Sequence, residues 1–152
     1  IRDSPYHSQL DSLLRQQRET FGYAILIDCH SMPHDALNAA PLVRGKRPEV
    51  ILGDRFGAAC GRWLIDSTAA LFQEQGFVVA RNAPFAGGYI TQQYGRPARG
   101  VHALQVEIDR ATYMDERRMT LLPGHADVAS RIDAVVAGLA RLQDAAPPLA
   151  AE

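Results

Sequence analysis

The chain has 152 residues and a mass of 16.7 kDa, which at about 150 residues per domain predicts one domain, with about 70% of its unfolded surface buried on folding. Its 47% hydrophobic and 22% charged residues exclude a disordered tail, a collagen and a coiled coil. Sixteen Lys and Arg against 17 Asp and Glu give a net charge of -1, so no field of one sign favours nucleic acid or a membrane surface.

Ser4-Pro5 reads as an N-cap followed by proline at the first helical position. Leu10, Leu13 and Leu14 follow at helical spacing and Gly22 stands at a C-cap, predicting a helix over 5–21. The apolar run Tyr23 to Cys29 reads as a strand buried on both faces, as in a parallel sheet. Residues 30–48, with Pro33, Pro41, Gly45 and Pro48, read as a long loop of the kind that carries function. A short strand follows at 49–52, a helix over 56–75 with Trp63, Leu64, Ala70 and Leu71 on its apolar stripe, and a strand at 77–82. Residues 83–101 read as a second long loop, 102–109 as an alternating strand, 123–142 as an amphipathic helix, and Pro147-Pro148 as the start of a frayed tail. Strands alternating with helices predict an α/β fold with a mostly parallel or mixed sheet flanked by helices. A single domain over 1–145 and a tail at 146–152 are expected. No apolar run reaches the roughly 18 residues of a membrane helix. Two cysteines, Cys29 and Cys60, are too few for a disulfide scaffold or a zinc ribbon, and point to a reducing compartment, the cytoplasm.

Ligands of open α/β sheets bind outside the carboxyl ends of the strands. There the sequence places His30, Asn82, Glu107 and Arg110, as expected to meet at one edge. A neutral imidazole just past a buried strand is a good zinc ligand; it can equally hydrogen-bond a loop carbonyl. Asp28 shares its face and can orient it or cap a turn. Glu107 interrupts an apolar strand, with Gln105 and Asp109 on the same face. Desolvation raises the pKa of such a carboxyl, which suits a base that later acts as acid; the plainer alternative is a salt bridge to Arg110 or Arg96. In the loop Asn82 to Ile90, Gly87-Gly88 lets backbone approach a ligand. Tyr89, and Arg96 in Tyr94-Gly95-Arg96-Pro97, add a ring, a hydroxyl and a guanidinium, although an ordinary surface loop has the same composition. His34 lies four residues from His30 with Pro33 between them, which spoils a helical metal pair. His102 has the opposite parity to Glu107 and is expected to face away. Cys29 is expected as inert packing.

Five segments stand in order: Asp28-Cys29-His30-Ser31-Met32-Pro33, Leu52-Gly53-Asp54-Arg55-Phe56-Gly57, Asn82 to Ile90, Tyr94-Gly95-Arg96-Pro97 and His102 to Arg110. Together with Tyr113-Met114-Asp115-Glu116 they resemble the N-formylglutamate amidohydrolase (deformylase) family over about residues 5–140. The resemblance implies a fold related to zinc carboxypeptidases and aspartoacylases (phosphorylase/hydrolase-like). It implies hydrolysis of N-formyl-L-glutamate to formate and L-glutamate, a step of histidine degradation, with one Zn²⁺. It also implies that His30 is the metal's third ligand and Glu107 the carboxylate that activates water. Arg96, Arg110 and Arg55 are expected to bind substrate carboxylates or the oxyanion, with Asn82, Gly88 and Tyr89 shaping the substrate side. The sequence departs from the family in lacking a His-x-x-Glu segment for the first two ligands. The chain therefore reads as the carboxy-terminal part of a catalytic domain, incomplete at its amino terminus, inactive alone and partnered by a missing amino-terminal segment. The alternatives are an amidohydrolase for another N-acyl amino acid or peptide, and a metal-free binding or assembly module of the same fold.

Overall fold

A computed structural model describes residues 4–142. In chain order the elements are α1 (Pro5–Phe21), β1 (Ala24–Met32), β2 (Val50–Gly53), α2 (Arg62–Glu74), β3 (Val79–Arg81), α3 (Tyr89–Tyr94), β4 (Val101–Asp109), β5 (Met114–Asp115), β6 (Thr120–Leu121) and α4 (His125–Arg141). The Ser4 side chain accepts from the His7 N–H at 3.3 Å and Gly22, at φ 81°, closes α1. Several segments differ from the sequence reading, among them the loop at 30–48, which holds a 3-10 helix at His34–Ala39. β1 runs three residues further, to Met32, because its pairing with β4 continues through His30↔Glu107 to Met32↔Asp109. The helix expected from 56 begins at Arg62, because Arg55, Phe56 and Gly57 all adopt positive φ (56°, 57° and 88°) and cannot propagate a right-handed helix. The loop at 83–101 contains α3 and a 3-10 turn at Pro97–Arg99. The β5–β6 hairpin, two residues on each side, had no sequence signal. The tail read at 146–152 lies outside the described residues.

The main sheet has the order β1-β4-β2-β3. β1 is parallel to β4 and β2 to β3, but β2 is antiparallel to β4, so the sheet is mixed. Parity then divides it into two faces. Ile25, Ile27, Val50, Leu52, Leu104 and Val106 point to one face and pack on Leu64, Phe72, Val128 and Val135 of α2 and α4. His102 belongs to this face, as its parity predicts. It is buried, edge-on to Trp63, and accepts from the Gly61 N–H at 3.0 Å. The opposite face is apolar only at its ends. Ala24 and Leu26 pack under α1 and α3 through Leu14 and Tyr94, while Met32, Ile51 and Ala80 pack on Leu37. Between these two patches lie Asp28, His30, Gln105 and Glu107. No helix among the described residues is long and apolar enough to cross a membrane.

Candidate active site

His30 and Glu107 are register partners on adjacent parallel strands. Their Cα atoms are therefore about 4.8 Å apart across the ladder and their side chains leave the same face. Their exposure differs: the His30 side chain is 48% accessible, Glu107 only 7%. A carboxylate so buried needs partners, and Gln105 supplies one. Gln105 Nε2 donates to Glu107 Oε1 at 2.7 Å, while its Oε1 accepts from the Gly88 N–H at 2.5 Å. The amide is thereby oriented, since only one end can donate. A loop must cross the face for this to happen, and glycine allows it: a Cβ on Gly53 would lie 2.6 Å from the Gly87 nitrogen. Gly88 is also the N-cap of α3, so the helix start, the loop and the Glu107 carboxylate are tied together.

His30 Nε2 lies 3.0 Å from Asp28 Oδ1. This is the carboxylate–imidazole arrangement that fixes a ring and leaves the other nitrogen, Nδ1, with its lone pair available to a metal. His34 is held as firmly. Arg47 can only donate, and its Nη1 sits 2.9 Å from His34 Nε2, so Nδ1 carries the proton given to Asp109 Oδ2 at 2.7 Å. The His34 backbone N–H donates to Glu116 Oε2 at 3.0 Å. The pairing of His34 with Asp109, 75 positions away, was invisible to spacing rules that look for helical histidine pairs. The face shared by Gln105, Glu107 and Asp109 was the signal that pointed toward it.

The remaining expected site residues are dispersed. β3 runs antiparallel to β4, so its carboxyl end does not reach the edge where β1 and β4 finish. Asn82 instead lies level with Gly53 and Gln105, at φ 58°. Its Nδ2 donates to Asp54 Oδ1 at 2.7 Å and its Oδ1 accepts from the Asp54 N–H at 3.1 Å, clamping the turn after β2. The Arg55 stem lies against Gly87, beside the Gly88–Gln105 contact. Tyr89 is exposed at the start of α3, edge-on to His7 at 5.4 Å. Arg110 donates to Ser31 through Nε (3.2 Å, to Oγ) and Nη2 (3.1 Å, to the carbonyl), and its Nη1 lies 3.8 Å from Glu116. Arg96 bridges to Val101 at the far end of β4. Val101 and Glu107 are six positions apart along β4, about 20 Å of strand. The structure therefore brings Asp28, His30, Gln105 and Glu107 to one face, sets Gly88 against Gln105 with the Arg55 stem beside Gly87, and leaves Arg96 away from them.

A catalytic zinc takes three protein ligands and keeps a position for water. Among the described residues no three His, Cys, Asp or Glu side chains gather into such a set. The described residues of this chain thus do not make a zinc site by themselves, while His30 fits as one ligand. Neither cysteine offers a ready thiolate. Burial pushes the Cys60 thiol up to about 12, with Asp54 adding to it; Cys29, expected as packing, is instead exposed near the end of the edge strand β1, and its thiol is raised by partial burial and by Asp28.

The family model for N-formylglutamate amidohydrolases matches residues 4–114. An N-formylglutamate deformylase of Pseudomonas putida is 40% identical over 117 residues, which is 74% of this chain and 41% of that protein. One from Pseudomonas aeruginosa is 36% identical over 138 residues, 88% of this chain and 48% of the relative. The crystal structure of an N-formylglutamate amidohydrolase from Ralstonia eutropha JMP134 matches with a TM-score of 0.77 and 32% identity, covering 93% of this chain and 50% of that one. A gene product of Agrobacterium tumefaciens, at 16% identity and a TM-score of 0.52, shares the fold alone. The chain spans about half the length of these relatives. The matched span runs from the cap of α1 to the start of β5 and takes in His30, Gln105 and Glu107, and the chain belongs to the N-formylglutamate amidohydrolase family.

Proposed function

We propose that the chain carries one part of a hydrolytic centre that cleaves the amide of N-formyl-L-glutamate to formate and L-glutamate. The observation that carries this reading is the His30–Glu107 register pair, with Gln105 holding the carboxylate. His30 would hold one position of a Zn²⁺ whose other ligands would lie outside the described residues. When bound, that ion would polarise the formyl carbonyl and acidify a water. The chain's own residues do the proton work. Gln105 engages Glu107 Oε1 and leaves Oε2 for the water. Glu107 removes a proton as the new C–O bond forms, then delivers it to the glutamate nitrogen as the C–N bond breaks. Asp28 keeps the His30 ring fixed throughout. Arg55, whose stem lies against the loop beside Gln105, is the best-placed of the three arginines to grip a substrate carboxylate with a forked pair of hydrogen bonds. Arg110 steadies the end of β1, and Gly88 lines the substrate side.

The test uses a protein of the relatives' full length that contains this sequence. Glu107→Gln should lower kcat for formate release by two or more orders of magnitude and leave zinc content unchanged. Full activity in that variant would remove Glu107 from the role. Formyl-, acetyl- and succinyl-glutamate compared side by side separate this substrate from another N-acyl amino acid. One observation favours a second reading, a metal-free binding module: no three-ligand set is found among the described residues. Stoichiometric zinc in the full-length protein, lost on His30→Ala, excludes that module.

A further inference from the structure

Arg96, expected beside the substrate, instead lines a separate cavity of about 160 Å³ between α1 and the segment that follows α3. Four arginines line it: Arg15 and Arg18 from α1, and Arg96 and Arg99 from around the 3-10 turn. That is a quarter of the 16 basic residues of a chain whose net charge is -1, gathered at one place. Among the described residues the only acid lining the cavity is Asp11, which pairs with Arg15 at 3.4 Å. The cavity therefore carries a formal charge of +3, four arginines less one aspartate.

The arrangement is built on fixed parts. Leu14 and Tyr94 are buried and pack together beneath it, setting the spacing of α1 and α3. Arg96 Nη1 donates to the Gln92 and Gly95 carbonyls at 2.8 and 2.6 Å, which fixes one edge of its guanidinium and leaves Nε and Nη2. Arg99 stands on a turn closed by Gly100 at φ 71°. Arg18 also lies in the last turn of α1, where a cation complements the helix dipole; that explains one arginine, not four. Crowding like charges is unfavourable unless something neutralises them. The volume is well below the roughly 300 Å³ at which sites for drug-sized ligands begin, so the neutralising group is small.

We propose that this cavity is a second ligand site, for a small multiply charged oxyanion such as phosphate or a compact polycarboxylate, held by the forks of Arg18, Arg96 and Arg99. It lies about 20 Å along the sheet from Glu107, so it is distinct from the hydrolytic centre and independent of that reading.

The test uses the 152-residue chain and follows amide NMR shifts and Tm while sodium phosphate or sodium citrate replaces sodium chloride at constant ionic strength. The expected result is saturable binding of at least one of the two ions, with shifts confined to residues 11–18 and 93–101 and a rise in Tm. In Arg18→Gln/Arg99→Gln, both exposed and outside the core, affinity falls at least tenfold. Tm in chloride alone stays the same or rises, because repulsion is relieved. Absence of saturable binding for both ions, shifts centred elsewhere, or unchanged affinity in the double variant overturns the proposal.

Discussion

Gln105 is the residue on which the site's geometry turns, because it makes the contact that connects a crossing loop to the buried carboxylate. Strand parity already places it on the face of Glu107. Its role depends on the Gly88 N–H, 17 residues away in sequence, and no local pattern reports that approach. In the full-length protein, Gln105→Ala should lower kcat by about 10- to 100-fold with little change in zinc content, as for other groups that orient a reacting residue; assaying formate release alongside metal analysis checks it. Gly53 tests the same contact from the other side. A methyl there meets loop backbone at 2.6 Å, so Gly53→Ala should cost about 1–3 kcal/mol, read as a lower urea midpoint. His30 and Glu107 were legible one by one, since each is a polar residue in or beside an apolar strand. What Arg96 and Arg110 touch was not legible, for a physical reason. An arginine reaches far and satisfies itself on whatever carbonyl or hydroxyl is nearest, as Arg96 does on α3 and Arg110 on Ser31.

At the scale of elements, hydrophobic period and caps located every long helix and strand, because the buried face of each is continuous in sequence. Strand direction was not legible. A buried strand looks the same read either way, and the antiparallel β2–β4 pairing moved Asn82 from the expected edge to the level of Gln105. The start of α2 was misplaced because the apolar pattern extends back to Phe56, while three left-handed residues interrupt the backbone. His102 gives this layer a pH signature. Burial lowers its pKa below the ordinary 6.5, and its Nδ1 accepts from Gly61 at 3.0 Å. The unfolded chain therefore takes up a proton that the folded chain resists. The stability that neutral His102 supports is fully present above about pH 6.5 and is lost as pH falls through the lowered value. Urea midpoints measured from pH 8 to pH 5 should fall less steeply in His102→Gln, which keeps an acceptor for Gly61 and does not titrate. Equal slopes would remove His102 as a cause.

At the scale of the whole molecule, the mixed sheet divides the labour between its faces. One face is closed by α2 and α4 and supplies the core. The other keeps Asp28, His30, Gln105 and Glu107 between two apolar patches. The mixed α/β class was readable from the alternation of elements; the pairing order β1-β4-β2-β3 was not, since it depends on contacts between distant segments. The chain spans about half of each relative it matches, and no three-ligand set lies among its described residues. The 152-residue chain alone should therefore bind zinc weakly and release no formate, while a protein of the relatives' length should bind zinc stoichiometrically and release formate; dialysis against zinc followed by metal analysis checks the first part. The central claim is that His30 and Glu107 serve one water. It is tested most directly by a double-mutant cycle in the full-length protein, measuring kcat/KM for formate release in His30→Ala, Glu107→Gln and the pair. Groups acting as a unit are strongly non-additive, so the double variant should be hardly slower than the worse single one. Losses that multiply would show that the two residues act separately and would contradict the account.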